Sequence, residues 1–285
     1  MNVNKLLLLI LAVFAVSWAS IFVRLSNAPA TICAFWRVLI SSLLILLLGH
    51  SMFLEELKSI SIKDLGYLAF SGTALALHFA LWMKSLFHTS IAISTTIVSS
   101  HPIFASLFIF AFIREKPLRI QILGLILAII GINILSFSGE IYFSNILGPL
   151  LALAGAICAG AYFAIGRVLR QRISLVTYAS IVYLVAAIVL FMINIIYHIP
   201  LMSYPLHSWI FFLLLALVPM MLGHTVLNYL LKYSKTITIT SVTLGEPIGA
   251  TLLALLLLNE APATMTYLGM VITLIGIAIV LLYEK

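Results

Sequence analysis

Two ionisable side chains stand where charge is costly. Arg37 lies in the run TICAFWRVLI and Glu246 in TLGEPIGA, both otherwise uncharged. A charge in hydrocarbon surroundings costs about 2.5–3.5 kcal/mol on insertion scales, so such residues point to function. The two have opposite signs. They suit pairing with each other, or holding the carboxylate and amine of a zwitterionic solute. The bland alternative is a structural ion pair that locks one conformation. His101 directly precedes Pro102, as Glu246 precedes Pro247. Proline has no N–H and clashes with the carbonyl four residues earlier, so kinks are expected at Pro102 and Pro247, each freeing a carbonyl. Gly245 and Gly249 permit close helix approach around Glu246. A proton-coupled mechanism needs a titratable group in such a place, and His101 or Glu246 would serve. A histidine beside a proline serves equally in hydrogen-bonded packing.

His78 and Trp82 are four residues apart, as are His224 and Asn228. Residues at that spacing share one helix face. These two faces are expected to line a cavity and its two mouths, with interhelical hydrogen bonding as the alternative. Trp18, Trp36, Trp82, Tyr162 and Tyr229 are candidate walls for an apolar or cationic solute, although lipid or core packing explains any single aromatic as well. Trp209 and Tyr283 read as interface anchors. Cys33 and Cys158 are isolated packing residues, with no Cys/His spacing for a metal. No GxxxxGK[ST], HExxH or GxSxG run occurs, so nothing calls for a cofactor, ATP hydrolysis by a phosphate loop, or hydrolytic catalysis.

The elements that hold these residues follow from composition. Hydrophobic residues make up 64% of the 285 positions and charged residues 8%, against about half and about a quarter in soluble domains. The surrounding solvent must be largely hydrocarbon. Apolar runs of about 20 residues match a hydrocarbon core about 30 Å thick. Ten such runs are expected, at 6–24, 29–49, 65–84, 90–112, 118–138, 146–166, 175–197, 207–231, 236–258 and 264–283. They lack two-residue alternation and are too long for barrel strands. In lipid every backbone N–H and C=O must be satisfied internally, so the runs must be helices. The first run reads as a span rather than a signal peptide, because it continues to Trp18 and Phe22 without a clear cleavage site.

The net charge of +7 raises nucleic acid as a partner, but charge placement argues against it. With the N-terminus inside, the inner connections collect Lys5, Lys58, Lys63, Arg114, Lys116, Arg119, Arg167, Arg170, Arg172, Lys232, Lys235 and Lys285. Only Arg24 and Lys84 fall outside. That asymmetry follows the positive-inside rule and predicts both termini in the cytoplasm of a cell membrane protein. Arg37 then lies about eight residues, roughly 12 Å, from the outer end of its helix, and Glu246 about twelve residues, roughly 18 Å, from its own.

Rare residues coincide when the chain is shifted by 145 positions: Pro102 with Pro247, Glu115 with Glu260, Pro117 with Pro262, Gly124 with Gly269, Gly131 with Gly276. Such matching signals internal duplication, with halves 1–140 and 141–285. Each half holds five spans, so the copies have opposite orientation. Inverted repeats of this kind recur in secondary transporters, with the solute site near the midplane between them. Duplication without alternating access is the alternative. The glycine spacing in spans 5 and 10 suggests helix contacts, and a homodimer contact is conceivable there.

The P…E…P…G…G pattern, SWASIFVRLSNAPATICAFWR and GHTVLNYLLKYSKTITITSVTLGEPIGA together resemble the drug/metabolite transporter superfamily of EamA type, over nearly the whole chain as two repeats. The resemblance implies a ten-helix all-α fold, a central cavity, and export or uptake of a small metabolite. Lys116 follows Glu115 here, and Arg114 and Asn259 stand where the family often has Gly. The leading expectation is a secondary transporter of an amino acid-like, nucleoside-like or cationic solute, with protons as a candidate coupling ion. A channel or scaffold is the second reading, and an intramembrane enzyme the least supported.

Overall fold

The computed structural model describes residues 3–137, 146–258 and 264–283, and these fold into ten helical segments with no strand among them. Asn259, Glu260, Pro262 and Lys285 lie outside the described residues. The helices are α1 Val3–Leu25, α2 Ala30–Leu57, α3 Ile62–Ser85, α4 Ile91–Ile113, α5 Arg119–Phe137, α6 Leu147–Leu169, α7 Leu175–Ile196, α8 Leu206–Leu230, α9 Thr236–Leu257 and α10 Thr264–Leu282. Eight are long and apolar enough to cross a membrane, and α5 and α10 carry shorter apolar stretches. Serine side chains open three of them: Ser61, Ser90 and Ser174 accept from the backbone N–H of Asp64, Ile93 and Thr177, satisfying donors that have no intrahelical partner. Asn27, Arg114 and His198 follow α1, α4 and α7 with positive φ. At Arg114 the left-handed cap (φ 55°) accounts for a preference for glycine, which meets no steric penalty there.

Hydrogen bonds and ion pairs sort the connections into two ends. Lys5 donates to Tyr233 O, Glu56 accepts from Ser174, Asp64 pairs with Arg172, and Glu115 pairs with Arg167. At the other end His207 lies 2.8 Å from Leu25 O, and Arg24 donates to Thr89 O, Ser208 to Ser26 O and Trp36 to Leu201 O. Within α1–α5 and within α6–α9, the described connections therefore alternate between the two ends.

The most extensive helix contacts each join one half of the chain to the other: α5 with α10, α3 with α6, α2 with α7, α4 with α6, α3 with α7, and α1 with α8. The halves interlock rather than sit side by side. In α5 and α10 the small residues face each other. A Cβ on Gly276 would come within 2.4 Å of Ala128 N, and one on Gly131 within 2.5 Å of Thr273 N. The glycine spacing that suggested a homodimer is thus already used within the chain.

Backbone cannot yield as a flexible side chain can. Gly276→Val should therefore destabilise the protein by about 1–3 kcal/mol, the usual effect of overpacking. Gly66→Ala adds its Cβ where nothing lies within 4 Å and should be neutral or stabilising by about 0.5–1 kcal/mol. Thermal unfolding of the two purified variants in one detergent checks both signs.

Candidate functional site

A turn at Trp18 divides α1 and Gly49 kinks α2; of three further interruptions, in α4, α8 and α9, two are related by the repeat. In α4 the helix breaks at Ser99–Ser100, just before His101 and Pro102. In α9 a 3-10 turn, Thr243–Gly245, precedes Glu246 and Pro247. Each proline removes the N–H that would continue the ladder and crowds the carbonyl four residues back, at Val98 and Thr243. In α8 the stretch Ala216–Thr225, which contains Pro219, is a π-helix. Such widened turns re-aim side chains and gather at functional sites.

The irregular stretches of α4, α8 and α9 surround one internal cavity. Arg37, His78, Trp82, His101, His224 and Glu246 all line it, with Ser99, Phe163 and Thr243. Its wall draws on α1 to α4 from the first half and α6, α8 and α9 from the second. The void is small, about 20 Å³ of room for a water's centre, which is space for about one ordered water. The site is therefore too narrow for an organic solute in this conformation.

Arg37 is wholly buried (0% exposed), its guanidinium lies 4.1 Å from the centre of the Phe79 ring, and none of its three guanidinium nitrogens has a hydrogen-bond partner. It is thus not bonded to Glu246, although both face the void. Trp82 Nε1, Ser99 Oγ, His101 Nδ1 and His224 Nδ1 are also buried without partners. The other ring nitrogens show how two histidines are held. His78 Nδ1 donates to Gly155 O at 3.0 Å. His101 Nε2 lies 3.3 Å from Thr243 Oγ1, whose hydroxyl donates to Thr240 O at 2.6 Å. The imidazole must therefore be the donor to Thr243, leaving His101 Nδ1 as an acceptor.

The His78 and His224 rings approach to 6.2 Å between centroids. They meet inside the bundle and do not mark two separate mouths. Counting along straight helices cannot see the π-helical stretch that carries His224. Three other expected site residues lie away from the cavity. Asn228 is fully buried and donates to Tyr162 and Tyr183 hydroxyls, with Thr225 3.0 Å from Tyr183. Trp36 donates to Leu201 O and packs 4.6 Å from Trp209 near the end that holds the 26–29 connection. Trp18 stacks on Phe22 at 5.3 Å. Phe79, Phe163, Thr243 and Ser99 were not singled out in the sequence. The neighbouring His78, and the positions just before the two prolines, were the available signals.

One end of the bundle is tied by charge. Glu115, in the connection after α4, sits 3.0 Å from Arg167 Nε and accepts the Thr236 N–H at 2.8 Å. Arg167 also donates to Leu231 O and Lys232 O. One carboxylate thereby joins the first half to two segments of the second.

A buried guanidinium without partners is a stability liability. Arg37→Met should leave the melting temperature unchanged or raise it while removing solute flux. A fall of more than about 1.5 kcal/mol, the low end for hydrogen bonds to charged groups, would mean that Arg37 is a structural residue; thermal unfolding and flux measured on one preparation separate the two.

The model of the EamA-like transporter family matches residues 4–137 and 146–282, so two copies cover nearly the whole chain. An uncharacterized transporter of Clostridium kluyveri is 22% identical over 249 residues, spanning 82% of this chain and 80% of its own length. A solved crystal structure superposes with TM-score 0.79, 15% identity, and coverage of 100% of this chain and 99% of the other, a likeness of fold. With both halves matched, the chain belongs to the EamA-like transporter family, a family of multi-pass membrane proteins.

Proposed function

We propose that this protein is a secondary transporter that carries a small organic metabolite across the cell membrane by alternating access. The observation that supports it is the narrow internal cavity lined from both halves, walled at two related helix breaks. In this reading all ten helices cross, the halves are inverted, and both termini face the cytoplasm. Inverted halves can exchange conformations, so a state closed on one side has a counterpart closed on the other. Protons fit as coupling ion, with His101 or Glu246 as carrier, since both face the void.

The Glu115–Arg167 clamp is then the cytoplasmic lock. Arg24, bonded to Thr89 O at the outer end, corresponds in position to the stretch that carries Arg167. Opening inward must break the Glu115 bonds to Arg167 and Thr236.

Two measurements test this reading. Proteoliposomes should show saturable counterflow of some metabolite from a broad panel; flux that never saturates and registers as conductance would favour a channel instead. Glu115→Gln removes a charge-assisted bond, worth about 1.5 kcal/mol or more, so inward opening should rise roughly tenfold. The readout is labelling of Ala159→Cys, on the cavity wall, by an impermeant thiol reagent applied from the cytoplasmic side, with Cys33 and Cys158 replaced by Ala. An unchanged labelling rate would remove Glu115 from the lock.

A further inference from the structure

Three helices enclose an open groove on the outside of the bundle. α1 and α10 each pack on α9 but scarcely on each other. Between them lies about 310 Å³ of room for a water's centre, against about 20 Å³ in the internal cavity. The floor is low because α9 presents Gly245 and Gly249 there. A Cβ on Gly245 would come 3.0 Å from Val13 Cγ1, and one on Gly249 would strike Ser17. The rims, Ile10 and Phe14 on α1 and Leu274 on α10, are exposed. The one lining hydroxyl, on Ser17, donates to Val13 O at 2.8 Å, so no side chain of the wall needs a polar guest.

Length and charge narrow the occupant. From Leu6 to Ser17 the groove runs roughly 16 Å along α1, about half of a 30 Å hydrocarbon core and so the depth of one leaflet. Its shallow end, at Leu6 and Leu281, adjoins the connection between α8 and α9. There Lys5 donates to Tyr233 O at 2.9 Å, and Lys232 Nζ lies 5.9 Å from the centre of the Tyr233 ring. Two ammonium groups thus gather at the mouth. The deep end, at Ser17 and Gly249, backs the turn before Glu246, a residue that faces the cavity on the other side. A second copy of the chain docked symmetrically on this face would bring the same lysines to the same end, where like charges repel.

We propose that the groove holds one acyl chain of an anionic phospholipid, its phosphate on Lys5 and Lys232 and its chain end against Ser17 and Gly249. An ammonium has three donors, so Lys5 can keep Tyr233 O and still reach a phosphate oxygen. Preference for this lipid over its neighbours lies in the headgroup, because all lipid tails are equally apolar. Each lysine near the surface favours an anionic lipid about fivefold. The inference needs only that the helices sit in a bilayer, and it stands whatever the cavity carries.

The test uses the full-length protein in nanodiscs of phosphatidylcholine containing a little phosphatidylglycerol with a diazirine midway along one chain. After irradiation, adducts should concentrate on 6–17 of α1, 242–249 of α9 and 274–281 of α10. A lipid that is merely part of the surrounding bilayer labels all outward helices alike, and that even pattern overturns the proposal. The same probe with a choline headgroup should label these stretches roughly 20-fold less; equal labelling also overturns it. Lys5→Gln combined with Lys232→Gln should bring the two probes close together. Ile10→Trp fills the groove from an exposed rim, and should remove the adducts on α9 without lowering the melting temperature in lipid-free detergent. Glycerol 3-phosphate, a headgroup with no chain, should not compete. Ile10→Cys that crosslinks between two copies, with Cys33 and Cys158 replaced by Ala, would put a second chain in the groove and end the lipid assignment.

Discussion

The constraint on which this structure depends is that hydrocarbon offers no hydrogen bonds to the backbone. Every peptide group in the membrane must find its partner within the protein. Long apolar runs meet that demand as helices, which sets the architecture. The same rule decides where the helices are allowed to fail. The breaks in α4 and α9 and the π-helical stretch of α8 all abut the cavity. Facing lipid, the carbonyls freed by Pro102, Pro219 and Pro247 would be stranded. Those before Pro102 and Pro247, on Val98 and Thr243, belong instead to residues that line an interior polar void. In α4, α8 and α9 irregular backbone thus borders the candidate site, whereas the kink at Gly49 of α2 packs on Val176 away from it.

Opposite-half packing follows from the same economy. Lipid tails are as apolar as leucine, so apolar contact alone does not drive one membrane helix onto another. Close packing and buried polar bonds do. The α5–α10 contact brings glycine to backbone, and Thr273 donates to Gly269 O while lying 3.4 Å from Ala128 O. Between α2 and α7, Ser42 donates to Ser180 O and Thr31 to Asn194. Because such contacts join one half to the other, relative motion of the halves must slide or rock these interfaces. Where glycine meets backbone, as in α5–α10, no soft layer absorbs a shift. The contacts with more room, around the cavity, are the ones able to change.

The helices and their order were legible because length and hydropathy suffice to mark a span. The five charged or histidine residues on the cavity, Arg37, His78, His101, His224 and Glu246, were legible because charge and imidazole are rare in apolar runs. Asn228 shows where such reasoning stops. It shares a helix face with His224, as the four-residue spacing says, but one turn further on that face meets Tyr162 and Tyr183. Periodicity gives the face of a helix and not the neighbour opposite it. Trp36 fails similarly: it precedes Arg37 and so points elsewhere, to Trp209 and the 197–205 connection. Phe163 and Phe79 carried no signal because aromatics are common throughout the chain. Arg37 was visible as a costly charge, while its lack of any partner needed three dimensions.

That lack of a partner also bears on which conformation this is. The end carrying Glu115 and Arg167 is held by charge-assisted bonds, whereas the described bonds at the other end, Arg24 to Thr89 O apart, are between neutral groups. Bonds to charged groups contribute roughly twice what neutral ones do. Among the described residues the end carrying Glu115 and Arg167 is therefore the more firmly tied. On the reading proposed above, a conformation whose narrow cavity leaves Arg37 without a partner is held by the ties around it rather than by contacts inside it. A solute then shifts that conformation towards another only by its differential affinity for the two.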